Sequence, residues 1–84
     1  METRIALIGI IVEEMDAVER LNQLLHEYRG FIVGRMGIPY PAKDVCIISV
    51  VVDAPADAIS ALSGKLGMIR GLSIKTIYSK AGKA

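Results

Sequence analysis

A four-stranded antiparallel sheet with two helices on one face, an α+β sandwich, is the fold this sequence predicts. Three observations carry the prediction. Apolar residues recur at three- and four-residue steps in two places, between 15 and 28 and between 58 and 66, the spacing of helices that face a core. Two other stretches, 5–12 and 45–52, are apolar on both parities, as in strands covered on both sides. Two weaker strand patterns, 31–40 and 72–78, complete the order β-α-β-β-α-β.

The first strand is the run Ile5-Ala6-Leu7-Ile8-Gly9-Ile10-Ile11-Val12, whose β-branched residues and short length favour a strand over a helix. Glu13, Glu14 and Asp16 follow it and suit a helix N-terminus. Met15, Val18, Leu21, Leu24, Leu25 and Tyr28 form the helix stripe. His26 and Arg29 suit its C-terminal end, and Gly30 reads as its C′ residue. The second strand, Phe31 to Tyr40, contains Gly34 and Gly37 and closes on Pro39 and Pro41, which fit a sheet edge or the end of a strand and not a central strand. After the turn Ala42-Lys43-Asp44 comes the third strand, with Val45, Ile47 and Val51 on one face and Ile48, Val50 and Val52 on the other. Pro55 and Asp57 open the second helix, whose expected buried stripe is Ala58, Ile59, Ala61, Leu62 and Leu66. Gly64 is expected to allow close packing of that helix. Gly67 and Gly71 flank the exit loop, and Leu72 to Tyr78 alternates as the last strand.

This order is the split βαβ of a ferredoxin-like sandwich. Its 84 residues predict one domain over 1–84, with a core of about 3–79 and a frayed tail over 80–84. In such a sheet the first and third strands lie in the middle, and two helices cover only one side. The other side exposes Val, Ile and Leu over more than the few hundred Å² that soluble monomers carry. A homo-oligomer, dimer or tetramer, is therefore expected.

Composition narrows the function classes. Ten basic and nine acidic residues leave a net charge of +1, which argues against bulk nucleic acid or an anionic membrane as partner. A single cysteine excludes an internal disulfide. Neither a signal-peptide pattern nor a long apolar run is present, which predicts a cytoplasmic protein that does not enter a membrane.

Three segments carry a resemblance: Gly34-Arg35-Met36-Gly37-Ile38-Pro39-Tyr40, Ile47-Ile48-Ser49-Val50-Val51-Val52-Asp53-Ala54-Pro55 and Ile59-Ser60-Ala61-Leu62-Ser63-Gly64-Lys65-Leu66-Gly67-Met68. Together they resemble the regulators of the iron-only hydrogenase system, over Arg4 to Lys80. The resemblance implies an ACT-like domain that stands alone and oligomerises, with a role in hydrogenase maturation or expression. A more distant similarity, to the C-terminal metal-sensing domain of nickel-responsive repressors, puts Cys46 at a cysteine ligand position and His26 near a histidine ligand position. Where those domains carry H-x-H this chain has Ile38-Pro39-Tyr40, which offers no imidazole to nickel. Met1 stands almost directly before the first strand, so no autonomous DNA binding is expected.

The candidate site residues follow. Gly34, Arg35, Gly37, Ile38 and Tyr40 form a ligand-binding candidate: exposed glycine backbone, Arg35 as anion contact and Tyr40 as aromatic wall of a cleft between subunits. Its structural alternative is a β-bulge with a solvated arginine. Cys46 and His26 form a metal candidate, against a buried small hydrophobe and a histidine at a helix C-terminus. The turn Val12-Glu13-Glu14-Met15-Asp16 is acidic and lacks glycine, which disfavours an amino-acid carboxylate there. Ser63-Gly64-Lys65 lacks the spacing of a phosphate loop. No nucleophile, base and acid set is evident, and the sequence requires no cofactor. The reading is a non-enzymatic, ligand-sensing regulator with a small molecule, metal or protein as partner. The alternatives are a small ferredoxin-like enzyme using an inter-subunit pocket with Glu13, Glu14 or Arg35, or a metal sensor using Cys46 and His26.

Overall fold

The computed structural model describes residues 2–80. Strand β1 (Arg4–Val12) leads through a 3-10 turn, Met15–Ala17, into helix α1 (Val18–Glu27). Strands β2 (Ile32–Tyr40) and β3 (Val45–Ala54) follow, then helix α2 (Ala56–Gly67) and strand β4 (Leu72–Tyr78). The sheet is antiparallel throughout, in the order β2-β3-β1-β4. The two doubly apolar strands are thus the central pair, and the proline-bearing strand is an edge, where an absent N–H breaks no ladder. The element order and layering agree with the ferredoxin-like sandwich read from the sequence.

Alternation divides the sheet cleanly. Ala6, Ile8, Ile10 and Val12 of β1 and Ile48, Val50, Val52 and Ala54 of β3 are buried beneath the helices. From above, Leu21 and Leu25 of α1 and Ile59, Leu62 and Leu66 of α2 close the core. A side chain-to-side chain hydrogen bond, Ser63 Oγ to Thr76 Oγ1 at 2.8 Å, ties α2 to β4 at the edge of this core.

The local expectations fail at four places. Met15 sits in the 3-10 turn ahead of α1 and is 56% exposed, because the change of pitch takes it out of the helix stripe. Ala61 of α2 is likewise exposed. Gly30 does not cap α1 in a left-handed conformation: the chain passes from Tyr28 directly into the turn Arg29–Phe31, and Gly71 is the glycine with positive φ among the described residues. A Cβ at Gly64 would meet nothing within 4 Å, so no close packing requires that glycine. Of the tail expected to fray over 80–84, all but Lys80 lies outside the described residues.

Candidate functional site

One irregularity decides where the candidate residues point. Ile32 pairs with Val52 and the next pair is Gly34 with Val51, so Val33 is an extra residue in β2. A one-residue insertion of this kind is a β-bulge, and it reverses the face to which every later side chain points. Ile32 packs on the core beneath the helices. Without the bulge, Gly34, Met36 and Ile38 would follow it there. With it, Arg35 lies opposite Val50 and Gly37 opposite Ile48 on the helix side, while Met36, Ile38 and Tyr40 lie opposite Ser49, Ile47 and Val45 on the other. The ligand-binding set is therefore split by the sheet: Arg35 and Gly37 on one face, Ile38 and Tyr40 on the opposite one. No single-chain cleft contains all five. Gly34 pairs with Val51 immediately after the bulge, and a Cβ there would meet nothing within 4 Å.

On the helix side, Arg35 reaches α1 and donates from Nη2 to Oδ1 of Asn22 at 3.2 Å. Asn22, Leu25, His26 and Arg29 lie at helical spacing on one stripe of the chain around α1. With Ile32 and Arg35 they border an open groove of about 360 Å³. Arg29 donates from Nη1 to the main-chain carbonyl of His26 at 2.9 Å, covering one of the free carbonyls at the helix end.

His26 and Cys46 do not meet within the chain. His26 borders the groove beside Arg35, whereas Cys46 pairs with Val12 and Pro39 at the far end of the sheet. Along β2, Arg35 and Pro39 are four residues apart, about 13 Å at a strand's rise per residue. Cys46 is half-buried and packs against the core, as a small hydrophobe does. No group of three or more His, Cys, Asp or Glu side chains suited to a metal ion occurs among the described residues.

The face away from the helices is apolar and bare. Ile5, Leu7 and Ile11 of β1, Ile47 of β3, Met36, Ile38 and Tyr40 of β2 and Ile77 of β4 are all exposed, with Leu7 at 39% and Ile77 at 65%. Near its middle, Gly9 pairs with Ser49 on one side and Lys75 on the other. The missing side chain of Gly9 and the short one of Ser49 leave a depression of about 400 Å³ flanked by Ile11 and Ile47 and bordered by Lys75.

Of the acids after β1, Glu13 has a side-chain partner on β4. Glu13 accepts from Ser73 Oγ through Oε2 at 2.9 Å. Glu14, Asp16 and Arg20 border a separate hollow with Met68 and Arg70, where charges of both signs alternate. Beside it, the ammonium of Lys65 lies 5.2 Å from the ring centroid of Tyr28. Tyr28, foremost through hydrogen bonding and then through charge, raises the Lys65 pKa above its ordinary value. No helix of the described residues is long and apolar enough to cross a membrane.

Comparison with known proteins gives a consistent picture. Residues 4–76 match the family described as "TM1266-like: Iron-only hydrogenase system regulator, putative". The solved structure of the uncharacterized protein TM1266 from Thermotoga maritima superposes with a TM-score of 0.89 at 38% sequence identity, covering 94% of this chain and all of that one. A protein named "Putative nickel-responsive regulator" from Saccharolobus solfataricus is 27% identical over 66 residues, 79% of this chain. This chain spans about half of that relative, the match covering 49% of its length. With the family matched over nearly all of β1 to β4, this chain belongs to the TM1266-like family.

Proposed function

We propose that the chain is a non-enzymatic regulatory module that works in the cytoplasm as a homo-oligomer, its subunits meeting across the bare face of the sheet. Occupancy of a site at or beside that contact, by a small molecule, a metal or a protein partner, shifts the assembly between states that the hydrogenase system reads. The observation that carries this reading is the face bearing Ile5, Leu7, Ile11, Ile47 and Ile77, which the chain's own two helices leave uncovered. Four strands of side chains amount to a patch of the several hundred Å² that water-soluble monomers seldom expose. A second copy would bury it as the helices bury the other side. The family description supports a regulator over an enzyme.

Native mass spectrometry and light scattering of the untreated protein test the reading, with the variant Leu7→Lys/Ile47→Lys beside it. Both side chains are exposed in the single chain, so the variant keeps its far-UV circular dichroism. An unpaired charge buried at a contact is costly, and the dissociation constant is expected to rise by about 100-fold or more. A wild-type protein that stays monomeric at tens-of-micromolar concentration would overturn the proposal.

A further inference from the structure

We infer that the groove between α1 and β2 is an anion site for a small phosphate monoester, held by Arg35, Arg29 and His26. The inference rests on the regulatory reading only in calling the ligand an effector. The groove has two guanidinium groups, one imidazole and the Asn22 amide on its rim, and no carboxylate. A helix C-terminus accounts for His26 and Arg29, because cations there offset the macrodipole. It does not account for Arg35, which comes from the neighbouring strand and is turned to this side by the extra residue Val33. Arg35 spends one N–H on Asn22, and Arg29 spends one on the carbonyl of His26. Each guanidinium presents five N–H donors, so most remain available, in the planar fork that matches phosphate oxygens. His26 meets Arg29 through its main-chain carbonyl, and the residue lines the groove. Leu25 and Ile32 complete the lining. The open groove, about 360 Å³, thus sets apolar side chains beside its cations, which suits a ligand with an apolar body as well as a charge.

The test uses phenyl phosphate, inorganic phosphate and benzoate at constant ionic strength, which keeps screening equal. Binding is read from amide and arginine Nε chemical shifts of the full chain. Phenyl phosphate is expected to saturate in the millimolar range or below, with shifts at Arg29, Arg35 and Ile32, and to bind more tightly than either inorganic phosphate or benzoate. Arg35→Gln is expected to weaken it at least tenfold, while Arg20→Gln, outside the groove, leaves it unchanged. Absence of saturation, equal affinity for benzoate, or indifference to Arg35→Gln would each overturn the assignment. Repeating the titration on Leu7→Lys/Ile47→Lys separates the two proposals, since that variant alters the opposite face of the sheet. Absence of phenyl phosphate binding by an intact wild-type assembly overturns the anion site alone, and a wild-type protein that is monomeric yet binds phenyl phosphate overturns only the assembly.

Discussion

Gly71 and Glu14 hold two chain crossings together at one end of the sheet. The Gly71 carbonyl accepts from the main-chain N–H of Glu13 at 2.7 Å and of Glu14 at 3.3 Å. Gly71 has φ +93°, and a Cβ on it would lie 2.7 Å from the Cβ of Glu14. Both the backbone conformation and the space demand glycine. Gly71→Ala is expected to destabilise the fold by about 1–3 kcal/mol, seen as a lower midpoint in urea. A variant as stable as the parent would show that the loop moves aside at no cost.

The opposite result is expected at Gly64. It lies inside α2, and a Cβ added there would have nothing within 4 Å. Gly64→Ala removes backbone freedom from the unfolded chain without creating a clash. Thermal unfolding should show a gain of about 0.5–1 kcal/mol.

Ser63 and Thr76 form a third test. Their hydroxyls share one half-buried hydrogen bond across the α2–β4 contact. Ser63→Ala alone strands the Thr76 hydroxyl and is expected to cost about 1 kcal/mol. Adding Thr76→Val removes the orphaned group, so the double variant should be less destabilised than the sum of the two single changes. Additive costs in the cycle would mean that the hydroxyls do not interact.

Leu66 and Met15 separate the core from what the periodicity suggested. Leu66 is fully buried against the sheet, and Leu66→Ala should cost about 2–5 kcal/mol in chemical denaturation. Met15 continues the same kind of apolar spacing but stands in water. Met15→Ala is expected to stay within about 0.5 kcal/mol of the parent. Equal losses at the two positions would contradict the packing described.

Much of this was legible from the residues alone. Runs of β-branched residues on both parities marked β1 and β3 as the central pair of the sheet, the strands with a neighbour on both edges. Pro39 and Pro41 marked β2 as an edge, since a proline lacks the N–H that an inner strand must donate. Acids before α1 and the period of its stripe located the helix, and the residues of the last strand alternate as read. Two helices against four strands already implied a bare face.

The candidate site was less legible, and the reason is one residue. Alternation tells which side chains of a strand share a face, but it is a relative statement. Val33, looped out opposite the Ile32–Gly34 step, inverts the second half of β2, and a glycine in the pattern signals that a bulge is allowed without saying where the ladder skips. Only the paired strands show that Arg35 turns toward Asn22 while Ile38 and Tyr40 turn toward the bare face. The separation of Cys46 from His26 is likewise invisible along the chain, because it depends on α1 running back across the sheet while β3 begins at the end where β1 finishes. Local chemistry determined the elements and their order; the register between strands, a long-range property, decided which of their side chains meet.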